Sequence, residues 1–377
     1  MKKIGLYIHI PFCIKKCNYC DFNSYSNLDS IKEEYVKCLI KEMQYYNALL
    51  DDTRVETIYI GGGTPTCLNE DLLAVIMDNC VKFFKLRDDC EISVEANPGT
   101  LSQKKLKTLK DKGVNRLSIG LQSWNDDELK ILGRIHTREQ FIENLLLARQ
   151  EGFNNINVDL MFSLPGQDLD VWLTTLDNII KLGVEHVSCY GLKIEEGTPF
   201  YDDYINKRFS LPEEEVDREM YHAAIHLLQY NGYHHYEISN FAKPGFECRH
   251  NYIYWKAEEY IGLGAGAHSY WNSKRYCNTS YPQQYIDKIS KGILPVEEEA
   301  FINDKEKMSE FMFLGLRLME GINRREFEQR FQLELESVFG NSLKKMQNLG
   351  LIERKGDKYK LTSRGIDLSN IVFAEFV

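Results

Sequence analysis

The chain reads as an α/β protein: a partial parallel (β/α)6 barrel over residues 1–240, then a smaller α+β domain over 241–377. Three observations predict this. Through residue 240, short apolar runs alternate with amphipathic helical stretches at about 30 residues per unit, the length of a strand, crossover helix and parallel strand. Six such units in a row place helices outside a parallel sheet that curls into a full or partial barrel, with a doubly wound open sheet as the alternative. Beyond 240 the texture changes to an aromatic- and glycine-rich segment, and then to helices that end in a hairpin pattern.

The expected strands are 5–10, 55–61, 91–97, 116–123, 155–163 and 186–193. Helical patterns cover 30–49, 69–84, 137–150 and 171–182 between them, and 212–230 after the sixth strand. Segment 241–300 carries HNYIYW and GLGAGAHSYW and lacks clear helical periodicity. Segment 301–377 is helical and ends in GLIERKGDKYKLTSRG, read as helix, turn and small hairpin, a winged-helix-like module.

With 43% hydrophobic and 27% charged residues, the 377-residue chain can bury an ordinary core and stay soluble. No run approaches the roughly 20 apolar residues of a membrane span. The start, MKKIGLYIHIPFC, shows no signal-peptide pattern, so a cytoplasmic location is expected. The net charge of -10 argues against a nucleic-acid partner, because phosphate binding draws on a basic excess. Ten cysteines in a reducing compartment point to metal binding before disulfides.

Three of those cysteines are grouped. Cys13, Cys17 and Cys20 follow the first strand with spacing C-x3-C-x2-C. A short loop with three thiolates can hold three corners of a [4Fe-4S] cube, leaving the fourth iron open to a chelating small molecule. A zinc site would need a fourth ligand, and His9, back in the strand, is poorly placed to supply it. The other seven cysteines are scattered and read as small buried apolar residues.

The triad after a first strand, with Tyr19 and Phe22 beside its last cysteine, resembles the radical-SAM superfamily. The string YIHIPFCIKKCNYCDF, with GGGTPT, VEANPG, GLQS, LGRIHT, VDLMFSLPGQ and GLGAGAHSY in order, is similar to the oxygen-independent coproporphyrinogen oxidase family and its HemW branch. The resemblance makes residues 1–240 a radical-SAM core barrel. It implies that S-adenosylmethionine (SAM) chelates the open iron and is cleaved reductively to methionine and a 5′-deoxyadenosyl radical, with the protein supplying binding and orientation.

The strand ends suit that ligand. Gly61, Gly62, Gly63 and Thr64 close the second strand, where glycine lets a backbone approach a ligand closely. Glu95 ends the third strand, Gln122 the fourth, Asp159 lies in the fifth and Arg134 follows the fourth; in a parallel barrel these converge on one rim. Arg134 offers a fork for a carboxylate, and the others can bond hydroxyls or an ammonium. By resemblance, Tyr7, Gly62, Gly63, Thr64, Glu95, Gln122, Arg134 and Asp159 match SAM-contacting positions, and Lys193 matches more weakly.

Two departures separate the chain from the decarboxylating oxidase. Phe22 stands where the oxidase has a further cysteine, and only six residues precede Tyr7 where the oxidase has a long extension. Decarboxylation of coproporphyrinogen is therefore not expected. One gain points to the HemW branch: His250, Asn251, Tyr254 and Trp255 fit its H-N-x-x-Y-W heme motif. Imidazole can ligate heme iron, aromatics can pack on the macrocycle and Arg249 can meet a propionate. The resemblance implies a heme chaperone serving an acceptor protein, soluble or membrane-associated, with an electron donor such as a flavodoxin or ferredoxin. An oxidase, a related methyltransferase, and a nucleic-acid reader built on the wing are the competing expectations.

Overall fold

The computed structural model describes residues 2–50 and 52–377. Six strands form the expected parallel run: β1 (Lys2–Ile10), β2 (Thr53–Gly62), β3 (Lys85–Ala96), β4 (Arg116–Gln122), β5 (Ile156–Phe162) and β6 (His186–Gly191). They pair in sequence order, each parallel to the next. β1 and β6 are not paired with each other, so the barrel is partial.

Alternation along these strands decides which side chains meet the helices. Ile4, Leu6 and Ile8 of β1, Ile58 and Ile60 of β2, and Leu117, Ile119 and Leu121 of β4 are buried in one core with helix residues such as Leu39, Leu73, Phe141 and Trp172. The intervening positions carry Tyr7, His9, Tyr59, Glu95, Ser118 and Asp159. The concave face is thus polar, and this leaves bonding groups inside the barrel where many barrels are filled with branched aliphatics.

Both edges of the sheet are extended. β8 (Asn240–Ala242) lies antiparallel to β6, and β7 (His234–Glu237) lies antiparallel to β8. On the other side β9 (Tyr260–Leu263) joins β1 in parallel, followed by β10 (His268–Trp271), β11 (Lys274–Asn278) and β12 (Val296–Phe301). The sheet therefore runs through the boundary expected at residue 240, and Ile261, Leu263, Tyr285 and Ile286 belong to the barrel's core. Segment 241–300 also contains two helices, Arg249–Trp255 and Pro282–Ser290, that its composition did not announce.

A second core gathers Phe311, Met312, Phe327, Leu343, Met346, Tyr359 and Val372. Helices Asp304–Gly315, Arg324–Phe331 and Leu335–Asn348 surround it with a small antiparallel sheet of β13 (Ile322–Asn323), β14 (Ile352–Lys355) and β15 (Lys358–Leu361). This is the expected winged-helix-like module. Its basic residues are largely paired on the module itself: Arg324 with Glu328, Arg325 with Asp357, Lys345 with Glu375 and Lys360 with Glu353. Among the described residues no helix is long and apolar enough to cross a membrane.

Candidate functional site

The site is built at the C-terminal ends of β1 to β5. Cys13, Cys17 and Cys20 follow β1 in one loop, all three free thiols and partly exposed. The loop is tied down by backbone bonds from Cys13 to Tyr25, at 2.9 Å, and from Asn18 to Leu132, at 3.0 Å. Gly63 has no room for a side chain, since a Cβ would lie 2.7 Å from the Phe12 carbonyl and 3.0 Å from Cys13 Sγ. Thr64 Oγ1 lies 3.6 Å from the same sulfur.

Arg134 links this loop to the rim. Its Nη1 meets Cys17 Sγ at 3.5 Å, and its Nη2 donates to Asn97 Oδ1 at 2.6 Å and the Gly120 carbonyl at 2.5 Å. Its buried Nε has no partner. Asn97 in turn donates to Thr64 Oγ1 at 2.7 Å. One asparagine therefore holds both the glycine turn and the guanidinium.

Deeper in the barrel, Glu95 accepts from Tyr59 Oη at 2.8 Å and from the Gly62 amide at 3.1 Å. Burial, and next the charge of Asp159, push its carboxyl up to about 7. Asp159 accepts from Ser118 at 3.0 Å and Asn157 at 2.8 Å. Gly62 has φ +113, and a Cβ there would sit 2.6 Å from the His9 ring, so glycine is required twice over. Tyr7 donates its hydroxyl to His9 Nδ1 at 2.9 Å, because His9 Nε2 gives its proton to the Asn23 carbonyl at 2.8 Å. Burial holds that imidazole down to about 4, so it stays neutral.

Two non-glycine residues at strand ends, Gln122 at φ 74 and Ser163 at φ 61, adopt left-handed backbone. Such strain persists where the surroundings fix it, and it clusters at ligand sites. Tyr7, Gly62, Gly63, Thr64, Glu95, Gln122, Arg134 and Asp159 thus come together as expected, while Lys193 stands exposed beyond β6. His9 was weighed in the sequence only as a zinc ligand, and Tyr59 and Asn97 were not singled out. Their signal was alternation, since Tyr7 and His9 share a face, as do Thr57 and Tyr59.

The residues present fit the two cofactors the fold implies. Three unpaired thiols on one loop can each hold one corner iron of a cube. The unpartnered Arg134 Nε, beside Cys17, and the Glu95–Asp159 pair supply a cationic and an anionic side for a zwitterionic ligand.

The second expected site is different. Helix Arg249–Trp255 lies against the opposite, N-terminal ends of the strands. The Glu91 carboxylate caps its start, accepting from the amides of Arg249 at 3.0 Å and His250 at 3.1 Å. His250 is 1% exposed, with Nδ1 on Thr57 Oγ1 at 2.7 Å and Nε2 on Tyr254 Oη at 2.8 Å. Its ring stacks on Tyr59 at 5.3 Å. Trp255 packs under the Arg317 guanidinium at 4.4 Å, Asn251 is half-buried on the same helix, and Arg249 is committed to Asp89. In this structure the expected heme-motif residues His250, Asn251, Tyr254 and Trp255 close the barrel floor, and both imidazole nitrogens of His250 are hydrogen-bonded.

Comparisons with known proteins agree with this frame. Residues 7–179 match the Radical SAM superfamily, and residues 302–368 match the HemN C-terminal domain. The Bacillus subtilis protein named Heme chaperone HemW is 41% identical over 98% of each chain. The Danio rerio protein named Radical S-adenosyl methionine domain-containing protein 1, mitochondrial, is 32% identical over 90% of this chain and 78% of its own. The structure of coproporphyrinogen III oxidase (HemN) from Escherichia coli, described as a radical SAM enzyme, covers 100% of this chain and 90% of that one with a TM-score of 0.87. At 23% identity that likeness carries the fold alone. With a Heme chaperone HemW relative 41% identical over 98% of each chain, the chain belongs to the HemW family of radical-SAM proteins.

Proposed function

We propose that the chain is a radical-SAM heme chaperone, which binds heme and passes it to an acceptor protein in the cytoplasm or at the membrane surface. The observation that carries this reading is the 41% identity over 98% of each chain to a relative named Heme chaperone HemW. When bound, the [4Fe-4S] cluster would supply one-electron reduction beside the bound SAM. In the chain itself, Cys13, Cys17 and Cys20 would hold the cluster, Arg134 would receive the SAM carboxylate, and Glu95 and Asp159 would take its ammonium or hydroxyl groups. The same Arg134 guanidinium also touches Cys17, one of the thiols that would hold the cluster. Phe22, 64% exposed beside Cys20, supports the chaperone over the decarboxylating oxidase, in which a further cysteine occupies that place.

Heme ligation by His250 would exchange the bond between Nε2 and the Tyr254 hydroxyl for iron, and would open the helix 249–255. We therefore assign that segment a ligand role only in an opened state. The test is titration of cluster-loaded protein with heme, followed by transfer to an apo-cytochrome and a coproporphyrinogen assay. Saturable uptake of about one heme per chain, with transfer and no protoporphyrinogen, is expected. Absence of saturable uptake, or multiple turnovers of decarboxylation, would overturn the reading.

A further inference from the structure

We propose that His268 is the axial ligand of a heme-loading site on the sheet face that continues past β1. The inference rests on the heme-chaperone reading above, and it names a ligand that is open while helix Arg249–Trp255 stays closed.

Strand register puts this residue beside the barrel's mouth. β9 continues the concave face of β1, with Gly262 next to Tyr7. Tyr270 stands opposite Tyr260, which brings His268 opposite Gly262. A Cβ on that glycine would strike the His268 carbonyl, so the two strands are in close contact there. His268 pairs in turn with Cys277, and Cys277 with Glu298. Residues directly opposite one another share a face. One row therefore runs from Tyr7 across a glycine to His268 and Cys277. The other face is the packed one, since Trp271 and Tyr276 lie against the barrel's core and Asn278 donates to buried Glu42 at 2.7 Å.

The segment before His268 is locked in place. Gly264 has φ +98, and a Cβ there would lie 2.5 Å from the His9 carbonyl oxygen. Gly266 has φ +74, and a Cβ there would strike Asn23, whose amide donates to the carbonyls of Ala265 and Ser280 at 3.1 and 3.0 Å. The glycines of GLGAGAHSY thus fix His268 against the segment that follows Cys20. The imidazole itself is uncommitted. Seven of the nine histidines have a side-chain hydrogen bond or ion pair. Among the described residues, His226 and His268 have neither. Both are exposed, but His226 lies on the solvent side of helix Glu214–Tyr230, far in sequence from this face. His250 must break two bonds to reach iron, and His268 must break none.

Heme iron brings four nitrogens of its own and asks the protein for an axial bond, which neutral imidazole supplies. A bare zinc ion asks for four ligands around one point, and a straight row over strands ~4.8 Å apart is a poor match to that demand. Aromatic surface for the macrocycle is at hand. Tyr281 is 58% exposed and its ring lies 5.5 Å from Tyr25, on the segments that Asn23 ties together. Two side chains leaving one sheet face in the same direction cannot take opposite faces of one macrocycle. Heme on His268 therefore keeps its sixth position open to a ligand from the acceptor. Transfer is then a ligand exchange: the acceptor's bond to iron forms, the bond from His268 breaks, and no electron moves.

The experiment titrates the full cluster-loaded chain with ferric heme and reads affinity and the Soret band in wild type and three variants. His268→Ala should weaken binding at least ~10-fold and shift the band. Added imidazole should restore the wild-type spectrum in that variant, while cluster content and the unfolding midpoint stay unchanged. Cys277→Ser and His226→Ala should bind as the wild type does. Saturable wild-type uptake with an indistinguishable His268→Ala would overturn this assignment and leave the chaperone reading standing. Loss confined to Cys277→Ser would move the bond to the thiol and also overturn it. Absence of saturable uptake by the wild type would sink both.

Discussion

The two ends of the barrel carry the two motifs that stand out in the sequence, and they use their polar groups in opposite ways. At the rim, Arg134 keeps an unpartnered Nε, Gln122 is held in left-handed backbone, and Glu95 is pushed up to about 7 by burial and Asp159. At the floor, both nitrogens of His250 are bonded, the Glu91 carboxylate is taken up by two backbone amides, and burial presses the imidazole down to about 3. A motif lists donors and acceptors; only the fold shows whether they are already bonded to each other. The rim holds capacity in reserve for ligands, and the floor holds the barrel together.

The largest difference should appear in stability. His250→Ala leaves Thr57 and Tyr254 unpaired in a buried place and opens a cavity against Tyr59, and it should cost about 2–4 kcal/mol in denaturant unfolding of the apo protein. A loss under 1 kcal/mol would mean the floor does not depend on this residue. Next comes ligand affinity at the rim. Arg134→Ala removes a charge-assisted contact to carboxylate and should weaken SAM binding by ~1.5–3 kcal/mol, measured by equilibrium dialysis on cluster-loaded protein. Unchanged affinity would remove Arg134 from the pocket.

The pH dependence sharpens the contrast. His250 is held neutral in the fold, so its folded value lies below its unfolded one, 6.5 falling to about 3. Its contribution is fully present above pH 6.5 and is lost as the pH falls towards 3. The stability gap between wild type and His250→Ala should therefore shrink by up to about 1.4 kcal/mol per pH unit below that point. A gap that stays constant between pH 7 and pH 5 would contradict a buried, neutral imidazole. The smallest effect belongs to Lys193, which is exposed beyond β6; Lys193→Ala should leave SAM affinity within about 0.5 kcal/mol of wild type.

Much of the rim was legible in the sequence because its logic is local. Each strand is announced by an apolar run and ends in the residue that matters, so Glu95, Gln122 and Gly62 could be placed before the pairing of strands was known. The roles of His9, Tyr59 and Asn97 were missed because nothing in their types marks them; only the alternation of β1 and β2, and the contact of Asn97 with both Thr64 and Arg134, gives them a role. The elements of segment 241–300 were not legible for a different reason. A seven-residue helix and strands of three to five residues are too short to show a period, so 241–300 looked irregular. Its partners, Thr57 and Glu91, lie more than 150 residues away in the chain. The same long-range pairing carries β9 to β1 and moves the seam between the two cores past residue 300, where the composition had suggested 240.

The central claim, that the rim binds the cofactors while the floor maintains the fold, is tested by one crossed measurement on two variants. Cys17→Ala and His250→Ala are each reconstituted anaerobically, and iron and sulfide content is read beside the unfolding midpoint of the apo protein. The account predicts that Cys17→Ala fails to assemble a [4Fe-4S] cluster but unfolds like the wild type. It predicts that His250→Ala assembles one full cluster but unfolds at distinctly lower denaturant. A Cys17→Ala protein with a complete cluster, or a His250→Ala protein of wild-type stability that cannot hold one, would contradict it.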